Sequence, residues 1–181
     1  GVISPILSNL FLHYVFDKWV ERHYPTVPWC RYADDGLLHC RTERQARHLL
    51  KVIGKRFSDC GLQLHPDKTK IVYCKDSNRK DEFQIVAFDF LGYTFRPREA
   101  VNHKNKYRFI TFSPAVSKLA MKSMRAKIKR CRFGRRTELE LNDIAKICNP
   151  MLRGWINYYG KYHFSELDSV FRHLNQTLVK W

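Results

Sequence analysis

The sequence predicts an α+β fold in two parts: an antiparallel sheet with packed helices over residues 1–112, then an all-α, three-helix module over residues 113–181. Strand and turn signals alternate with amphipathic helix patterns in the first part, whereas only helical periodicity remains beyond Ser113-Pro114. The charge changes in the same region. Residues up to Phe95 carry 14 − 11 = +3 and those after it carry 19 − 6 = +13, so we place a domain boundary between Phe95 and Ser113.

The first part begins with a helix and a hairpin. Ser4-Pro5 offers an N-cap followed by a first-turn proline, and apolar residues then recur at helical spacing, so we expect a helix up to about His23. Two short apolar runs within residues 29–40 flank Asp-Asp-Gly. This pattern favours a hairpin because Asp and Gly tolerate positive φ.

A second amphipathic helix follows the hairpin. Thr42 and Gln45 form a capping box at its start, and Gly61 is a C-terminal cap residue at its end. Beyond it the apolar runs are short and separated by turn residues, which predicts strands joined by loops. We expect strands at residues 62–65, 69–73, 90–95 and 107–112, and loops at residues 75–82 and 97–106.

Three helices are predicted in the second part. Ser113-Pro114 provides the N-cap and first-turn proline of the first helix, and the second extends from Leu141 to Tyr159, where Pro150 should kink or restart it. The third spans residues 165–181. The side chains expected to face inward from the first and third helices are Val116, Leu119, Met124, Ile128, Leu167, Val170, Phe171, Leu174 and Leu178.

The composition excludes several classes of protein. An apolar fraction of 44% with 14% aromatic residues can form a core, so the net charge of +16 is not that of a disordered tail. No apolar run approaches the roughly 18 residues of a membrane span and no signal-peptide pattern is present, which favours a soluble intracellular protein. The six cysteines form no C-x-x-C pair, so we expect reduced thiols rather than disulfides or structural zinc.

A block of nine basic residues without an acidic one predicts binding of nucleic acid. Such a block binds phosphates by releasing counterions, whereas a merely solvated helix face usually mixes both signs. Arg153, further along the chain, is a second candidate for contact with a nucleic-acid backbone. The nine residues are Lys118, Lys122, Arg125, Lys127, Lys129, Arg130, Arg132, Arg135 and Arg136.

Two adjacent acids carry the chemistry of the first part. Asp34 and Asp35 follow Tyr32-Ala33 at the apex of the predicted hairpin. Their oxygens suit a hard cation such as Mg²⁺, and in phosphoryl transfer two such ions stabilise the attacking and leaving oxygens. Two acids alone are an incomplete site, and an Asp-Asp pair in a turn is by itself also ordinary turn chemistry.

Five sequence blocks, in order, resemble the group II intron reverse transcriptases. The first four are G-V-I-S-P-I-L-S-N-L-F-L (1–12), Y-A-D-D (32–35), L-Q-L-H-P-D-K-T-K (62–70) and F-L-G-Y-T-F (90–95). The fifth, N-P-M-L-R-G-W-I-N-Y-Y (149–159), resembles the maturase-specific thumb segment. The resemblance covers nearly the whole chain. It implies a partial polymerase palm at residues 1–112 and a maturase-specific thumb (X) domain at residues 113–181.

The resemblance implies roles for the matching residues. Asp34 would be a metal-binding acid of the palm, Asp35 its neighbour nearer the primer end, and Lys68 a group close to the departing pyrophosphate. For Lys68 the alternative is an ordinary exposed lysine. Gly1, Ser4 and Pro5 match the family's template and nucleotide pocket, and the alternative for them is an ordinary helix start. Leu91, Gly92 and Tyr93 match the segment that binds the primer strand, and the alternative for them is an ordinary strand.

The implied function is an RNA-directed DNA polymerase that copies RNA into DNA with two Mg²⁺ ions and assists splicing of its intron. Its partners would be the intron RNA template, a DNA primer and deoxynucleoside triphosphates, with no membrane. In this family, the palm has another metal-binding aspartate on a strand that precedes the helix near Gly1. The fingers of the polymerase come earlier still. Neither matches a block here. We therefore expect a piece of a longer polymerase that is inactive alone.

Two alternatives belong to other classes of function. A non-catalytic RNA-binding splicing factor would need only the basic module, although retention of both Asp34 and Asp35 argues against it. A metal-dependent nuclease would use the same acids, but no clustered histidine or third acid supports that hypothesis.

Overall fold

The first of two units in the computed structural model, residues 1–71, consists of helices packed on a hairpin. The structure describes residues 3–102 and 104–181. The elements of this unit are α1 (Ser4–Leu12), a π-helical turn (His13–Asp17), α2 (Lys18–His23), β1 (Trp29–Tyr32), β2 (Asp35–Leu38) and α3 (Glu43–Asp59).

The predicted first helix is confirmed up to His23, with a π-helical turn in its middle. The predicted cap at Ser4 is wrong. Ile3 already has helical backbone angles, and its carbonyl accepts hydrogen bonds from the Ile6 and Leu7 amides, so Ser4 and Pro5 are the first two helical residues.

The predicted hairpin is also confirmed. Strands β1 and β2 are antiparallel with Tyr32 opposite Asp35, which leaves Ala33 and Asp34 as a two-residue turn. The positive φ falls on Ala33, at 52°, while Gly36 is in the strand. The sequence pattern thus located the turn but not the residue with left-handed backbone.

Helix α3 closes the core of this unit. The Thr42 hydroxyl caps it by accepting from the Gln45 amide at 3.2 Å, although the Gln45 side chain accepts from Arg41 instead of completing a capping box with Thr42. Gly61 after the helix has φ +72°, as expected of a cap residue. The core buries Phe16, Val20, Val27, Leu49 and Ile53.

The strand pair predicted at residues 62–65 and 69–73 is wrong, because this stretch forms no strand. The Leu62 amide donates to the Phe57 carbonyl at the end of α3, and the Thr69 amide donates to the His65 carbonyl across the proline turn. These two amides therefore form hydrogen bonds at a helix end and within a turn, and not between paired strands. The charged stretch at residues 75–82 is a loop, as predicted.

The second unit, residues 72–181, begins with a three-stranded antiparallel sheet in the order β3-β4-β5. Its strands are β3 (Phe88–Phe90), β4 (Tyr93–Asn102) and β5 (Tyr107–Val116).

Two predictions for this sheet are wrong. Residues 90–95 are not one strand, because Leu91 and Gly92 have φ of +49° and +79° and form a tight turn between β3 and β4. The loop predicted at residues 97–106 is strand as far as Asn102, since Pro97 is accommodated opposite Phe112 in the β4–β5 register.

Three helices follow the sheet, as predicted. They are α4 (Lys118–Arg130), α5 (Leu141–Tyr159) and α6 (Asp168–Val179), with 3-10 turns at Phe133–Arg135 and Phe164–Leu167.

The start of α4 differs from the prediction. Pro114 is still in β5, opposite Phe95, and the cap is Ser117, whose hydroxyl accepts from the Ala120 amide at 3.1 Å. The predicted division after Phe112 therefore falls inside β5.

Helix α5 passes through Pro150 without restarting. Leu119 was expected to face inward but is 73% exposed, because it points away from the side of α4 that carries Met124 and Ile128. The core of the unit buries Val116, Met124, Ile128, Phe133, Ile144, Cys148, Leu167, Val170 and Leu174.

Two further observations concern the chain as a whole. All six cysteines are free thiols, as the sequence predicted. Within the part of the chain that the structure describes, no helix has both the length and the apolar character needed to cross a bilayer.

Candidate functional site

The β1–β2 turn presents two neighbouring carboxylates to solvent. Asp34 is the second residue of the turn and Asp35 is the first residue of β2, and both are exposed. Mg²⁺ is commonly held by one or two carboxylates together with water and substrate phosphates, so this pair of hard oxygen donors fits such an ion. Within residues 3–102 and 104–181, no group of three His, Cys, Asp or Glu side chains is placed to hold a metal.

Arg31 holds this turn from within the unit. Its Nη1 donates to the Ala33 carbonyl at 2.6 Å and to Asn9 Oδ1 on α1 at 3.0 Å. Its Nε and Nη2 both donate to the carboxylate of Asp17, each at 2.7 Å. The turn is therefore tied to two successive parts of the first helix.

The Arg31–Asp17 pair is an ion pair with little exposure, since each side chain is only 11% accessible. Burial alone would raise the pKa of Asp17, but hydrogen bonds from Arg31 and His13 outweigh it, and the pKa lies below its ordinary value. Asp17 is thus ionised at neutral pH. The sequence analysis did not identify either residue. The available signal was a charged residue on the inward face of its element, Asp17 in the first helix and Arg31 in β1.

Lys68 lies in the exposed turn at residues 66–68. Among the described residues, no hydrogen bond or ion pair joins it to Asp34 or Asp35. Ser4 and Pro5 are exposed at the start of α1, and Gly1 lies outside the described residues.

The second unit holds the Leu91-Gly92 turn against α5. The Tyr158 hydroxyl donates to the Leu91 carbonyl at 2.9 Å, and the Tyr93 hydroxyl donates in turn to the Tyr158 carbonyl. The Ser117 amide donates to the Gly92 carbonyl at 2.9 Å. These three hydrogen bonds, made by Tyr158, Tyr93 and Ser117, form a brace that joins the turn to α5 and to the cap of α4.

A shallow cleft of about 590 Å³ lies beside this brace. Gly92, Ser117, Ser123 and Gly154 are among the small residues that line it, and Lys127 adds a cationic group. Small residues allow an extended ligand to approach the backbone closely. Tyr158 and Tyr159 also line the cleft, so its wall includes two aromatic side chains.

The basic block follows α4 and the turn after it. Eight of its nine residues are exposed, and the ninth, Arg125, is half-buried and reaches Ser169 at 3.5 Å. In the described residues, no acidic side chain forms an ion pair with any of the nine or with the exposed Arg153. This positive surface is therefore not neutralised within the unit, which is the electrostatic condition for binding a polyanion.

Two family models match the chain. The model described as reverse transcriptase (RNA-dependent DNA polymerase) matches residues 1–95, more than half of the 181 residues. The model described as group II intron, maturase-specific domain matches residues 121–181. A search of the curated proteins finds no match. The first match contains the acidic turn and the Leu91-Gly92 turn, and the second contains most of the helical module.

Proposed function

Because the chain belongs to the group II intron reverse transcriptases, RNA-directed DNA polymerases that also assist splicing of their intron, we propose that it supplies two functional parts. The acidic turn contributes to nucleotide transfer. The basic helical module binds intron RNA. The observation that carries the proposal is the exposed pair Asp34 and Asp35 on a turn tied into the fold, within the segment that matches a polymerase family.

Asp34 and Asp35 are proposed to hold divalent metal. Reverse transcriptases as a family use divalent ions, and we infer Mg²⁺, with two ions in the complete enzyme, from the carboxylate oxygens of the turn. When bound, such ions stabilise charge on the reacting phosphate oxygens. The role of the chain is to hold two adjacent carboxylates on a turn whose backbone is fixed by Arg31.

Lys68 is proposed to act on the leaving side of the reaction. An exposed ammonium in a short turn is free to approach pyrophosphate, where it can neutralise charge or donate a proton. Ser4 and Pro5, at the start of α1, are proposed to contact template and nucleotide. The same role is proposed for Gly1, which lies outside the described residues.

Leu91, Gly92 and Tyr93 are proposed to contact the primer strand. Support comes from the fixed geometry of their turn, in which Ser117 and Tyr158 bind two successive carbonyls. A rigid turn of this kind can hold a strand end without reorganising when the strand arrives.

The basic surface is proposed to bind the RNA backbone through Lys118, Lys122, Arg125, Lys129, Arg132, Arg135, Arg136 and Arg153. RNA template and nucleotides are the general partners of such a protein. We infer more specifically an intron RNA template, a DNA primer and deoxynucleoside triphosphates, in the bacterial cytoplasm or an organelle matrix. The division into palm and thumb is proposed near Phe112, between the end of the first matched segment at residue 95 and the start of the second at residue 121.

The test is RNA-templated extension of a DNA primer by the natural protein that carries these residues. Asp34→Asn should reduce extension by about 100- to 1,000-fold or more, the scale seen when a group that stabilises transition-state charge is removed. Asp59→Asn, at the exposed end of α3, is the matched control and should leave the rate unchanged. Equal rates for Asp34→Asn and wild type would refute the proposal.

Inactivity of the 181 residues alone stays a prediction. The same assay on this chain tests it directly: Mg²⁺-dependent, template-dependent incorporation would contradict it.

A further inference from the structure

Arg31 makes four hydrogen bonds that converge on one side of the acidic turn. Two go to Asp17 in the π-helical turn, one to Asn9 on α1 and one to the Ala33 carbonyl. A planar guanidinium can bind a carboxylate with two parallel bonds and still direct its third nitrogen elsewhere, which an ammonium cannot do. This geometry joins the helix to the turn through one rigid group.

Asp17 lies at the end of a π-helical turn. Residues 13–17 adopt this rare form between two ordinary helical segments, and Asp17 is its last residue. The two oxygens of Asp17 accept from Arg31, and one of them also accepts from His13 at 3.2 Å. Turns of this kind within helices are frequent at functional sites.

Ala33 is the residue in the turn that needs support. It has φ +52°, a left-handed conformation that alanine adopts at a cost and keeps only where the surroundings impose it. The hydrogen bond from Arg31 is made to the carbonyl of this residue, directly before Asp34. The charged Arg31 side chain therefore holds the peptide group between Ala33 and Asp34.

We propose that Arg31, paired with Asp17, is a positioning residue. It holds the backbone of the acidic turn so that the side chains of Asp34 and Asp35 project from it in a fixed direction. The inference rests on the proposed metal-binding role of those two acids. It assigns a function to an ion pair that lies outside the acids themselves. An apolar pair of similar size would often be as stable in a place with so little exposure, so stability alone does not account for this ion pair.

The experiment measures the turn itself before any metal is added. In the 181-residue chain, Arg31→Lys keeps the charge but cannot form the fork, so amide hydrogen exchange at residues 33–36 should accelerate by about tenfold or more, the effect of losing one charge-assisted hydrogen bond. Arg47→Lys is the matched control. It alters an exposed pair with Glu43 on α3 and should leave exchange in the turn unchanged.

A second readout uses Mn²⁺ as the probe, detected by electron paramagnetic resonance. Arg31→Lys should weaken Mn²⁺ binding several-fold, whereas Arg47→Lys should bind like wild type. Unchanged exchange and unchanged Mn²⁺ affinity in folded Arg31→Lys would overturn the proposal. If circular dichroism shows that this variant does not fold, Asp17→Asn replaces it, with the same expected acceleration and the same contradicting result.

The two proposals fail in different ways. If the Asp34→Asn variant binds Mn²⁺ as tightly as the wild-type chain does, the metal-binding role of the acids is wrong. Exchange at residues 33–36 still tests Arg31 in that case, because that measurement needs no metal.

Discussion

At the scale of single residues, the structure shows where one atom decides a local conformation. Gly92 has φ +79°, and a β-carbon added there would lie 2.6 Å from the hydroxyl of Tyr159. The ring of Tyr159 has little freedom to yield, because it packs in the core of the helical module and against Tyr93. Both the backbone and the neighbouring ring therefore require glycine at this position.

Gly92→Ala should lower the free energy of unfolding by about 1–3 kcal/mol, from left-handed strain together with overpacking. Urea unfolding measures the change. Gly134→Ala is the control, since nothing lies within 4 Å of an added β-carbon and its φ is not positive. Equal stability of the two variants would show that the Leu91-Gly92 turn is less constrained than its geometry indicates.

His163 predicts a pH effect in the second unit. Burial lowers its pKa, and Arg98 adds to the shift, while its Nε2 lies 2.9 Å from the Ser113 hydroxyl. As pH falls below about 6.5, the unfolded chain therefore takes up a proton before the folded chain does, and stability declines.

His163→Asn should reduce the loss of stability between pH 7.5 and pH 5, because the titrating group is gone and asparagine tolerates the positive φ of 46°. Thermal unfolding across this range measures the slope. An unchanged slope would mean that other groups account for the pH dependence.

At the scale of elements, periodicity predicted the helices better than the strands. The hairpin and residues 107–112 are strand as expected, whereas residues 62–65 and 69–73 are not. Helix α3 and the helix up to His23 each carry an apolar stripe over several turns, which local spacing reveals. The Leu91-Gly92 turn lies inside an apolar run, so its residues looked like strand. Pro97 looked like loop, yet it fits within β4 because the pairing of β4 with β5 extends past it on both sides.

In the candidate site, too, local features were predictable from the sequence and contacts between distant residues were not. Asp34 and Asp35 were predictable because the motif is contiguous and the turn is local. The support from Arg31 was not predictable, because Asp17 is 14 residues away on another element and lies in a π-helical turn, a form that local spacing does not indicate. The brace between Leu91 and Tyr158 joins residues 67 apart, and spacing in the sequence gives no indication of it.

Helix α4 carries a prediction at this scale. Lys122 and Lys129 are exposed and form no ion pair among the described residues, so their charges are available to RNA phosphates. Replacing both by glutamine should weaken RNA binding at low salt and reduce the slope of log K against log salt by up to about 1.4–1.8, at 0.7–0.9 per phosphate contact. Filter binding at several salt concentrations measures this slope.

The matched control for that pair is Lys51→Gln with Lys55→Gln, on the exposed side of α3 in the first unit. This variant loses the same charge from the other unit and should keep the wild-type slope. Equal losses for both pairs would show that binding follows net charge rather than the basic surface of the helical module.

At the scale of the whole molecule, charge and chemistry are separated along the chain. The residues up to Phe95 carry +3 and include the two acids proposed to hold metal, whereas those after Phe95 carry +13 and include the basic surface. A polymerase that also assists splicing of its intron needs both kinds of chemistry. If the acids and the basic surface act as proposed, each function can be altered without the other.

The most direct test of this separation is RNA binding by Asp34→Asn, measured in the natural protein together with primer extension. The variant should lose DNA synthesis and keep the RNA dissociation constant within about twofold of wild type, since surface substitutions away from a contact usually change free energies by less than 0.5 kcal/mol. The glutamine pair at Lys122 and Lys129 should lose RNA affinity. Equal loss of synthesis and RNA binding in Asp34→Asn would contradict the account, because Asp34 would then be structural.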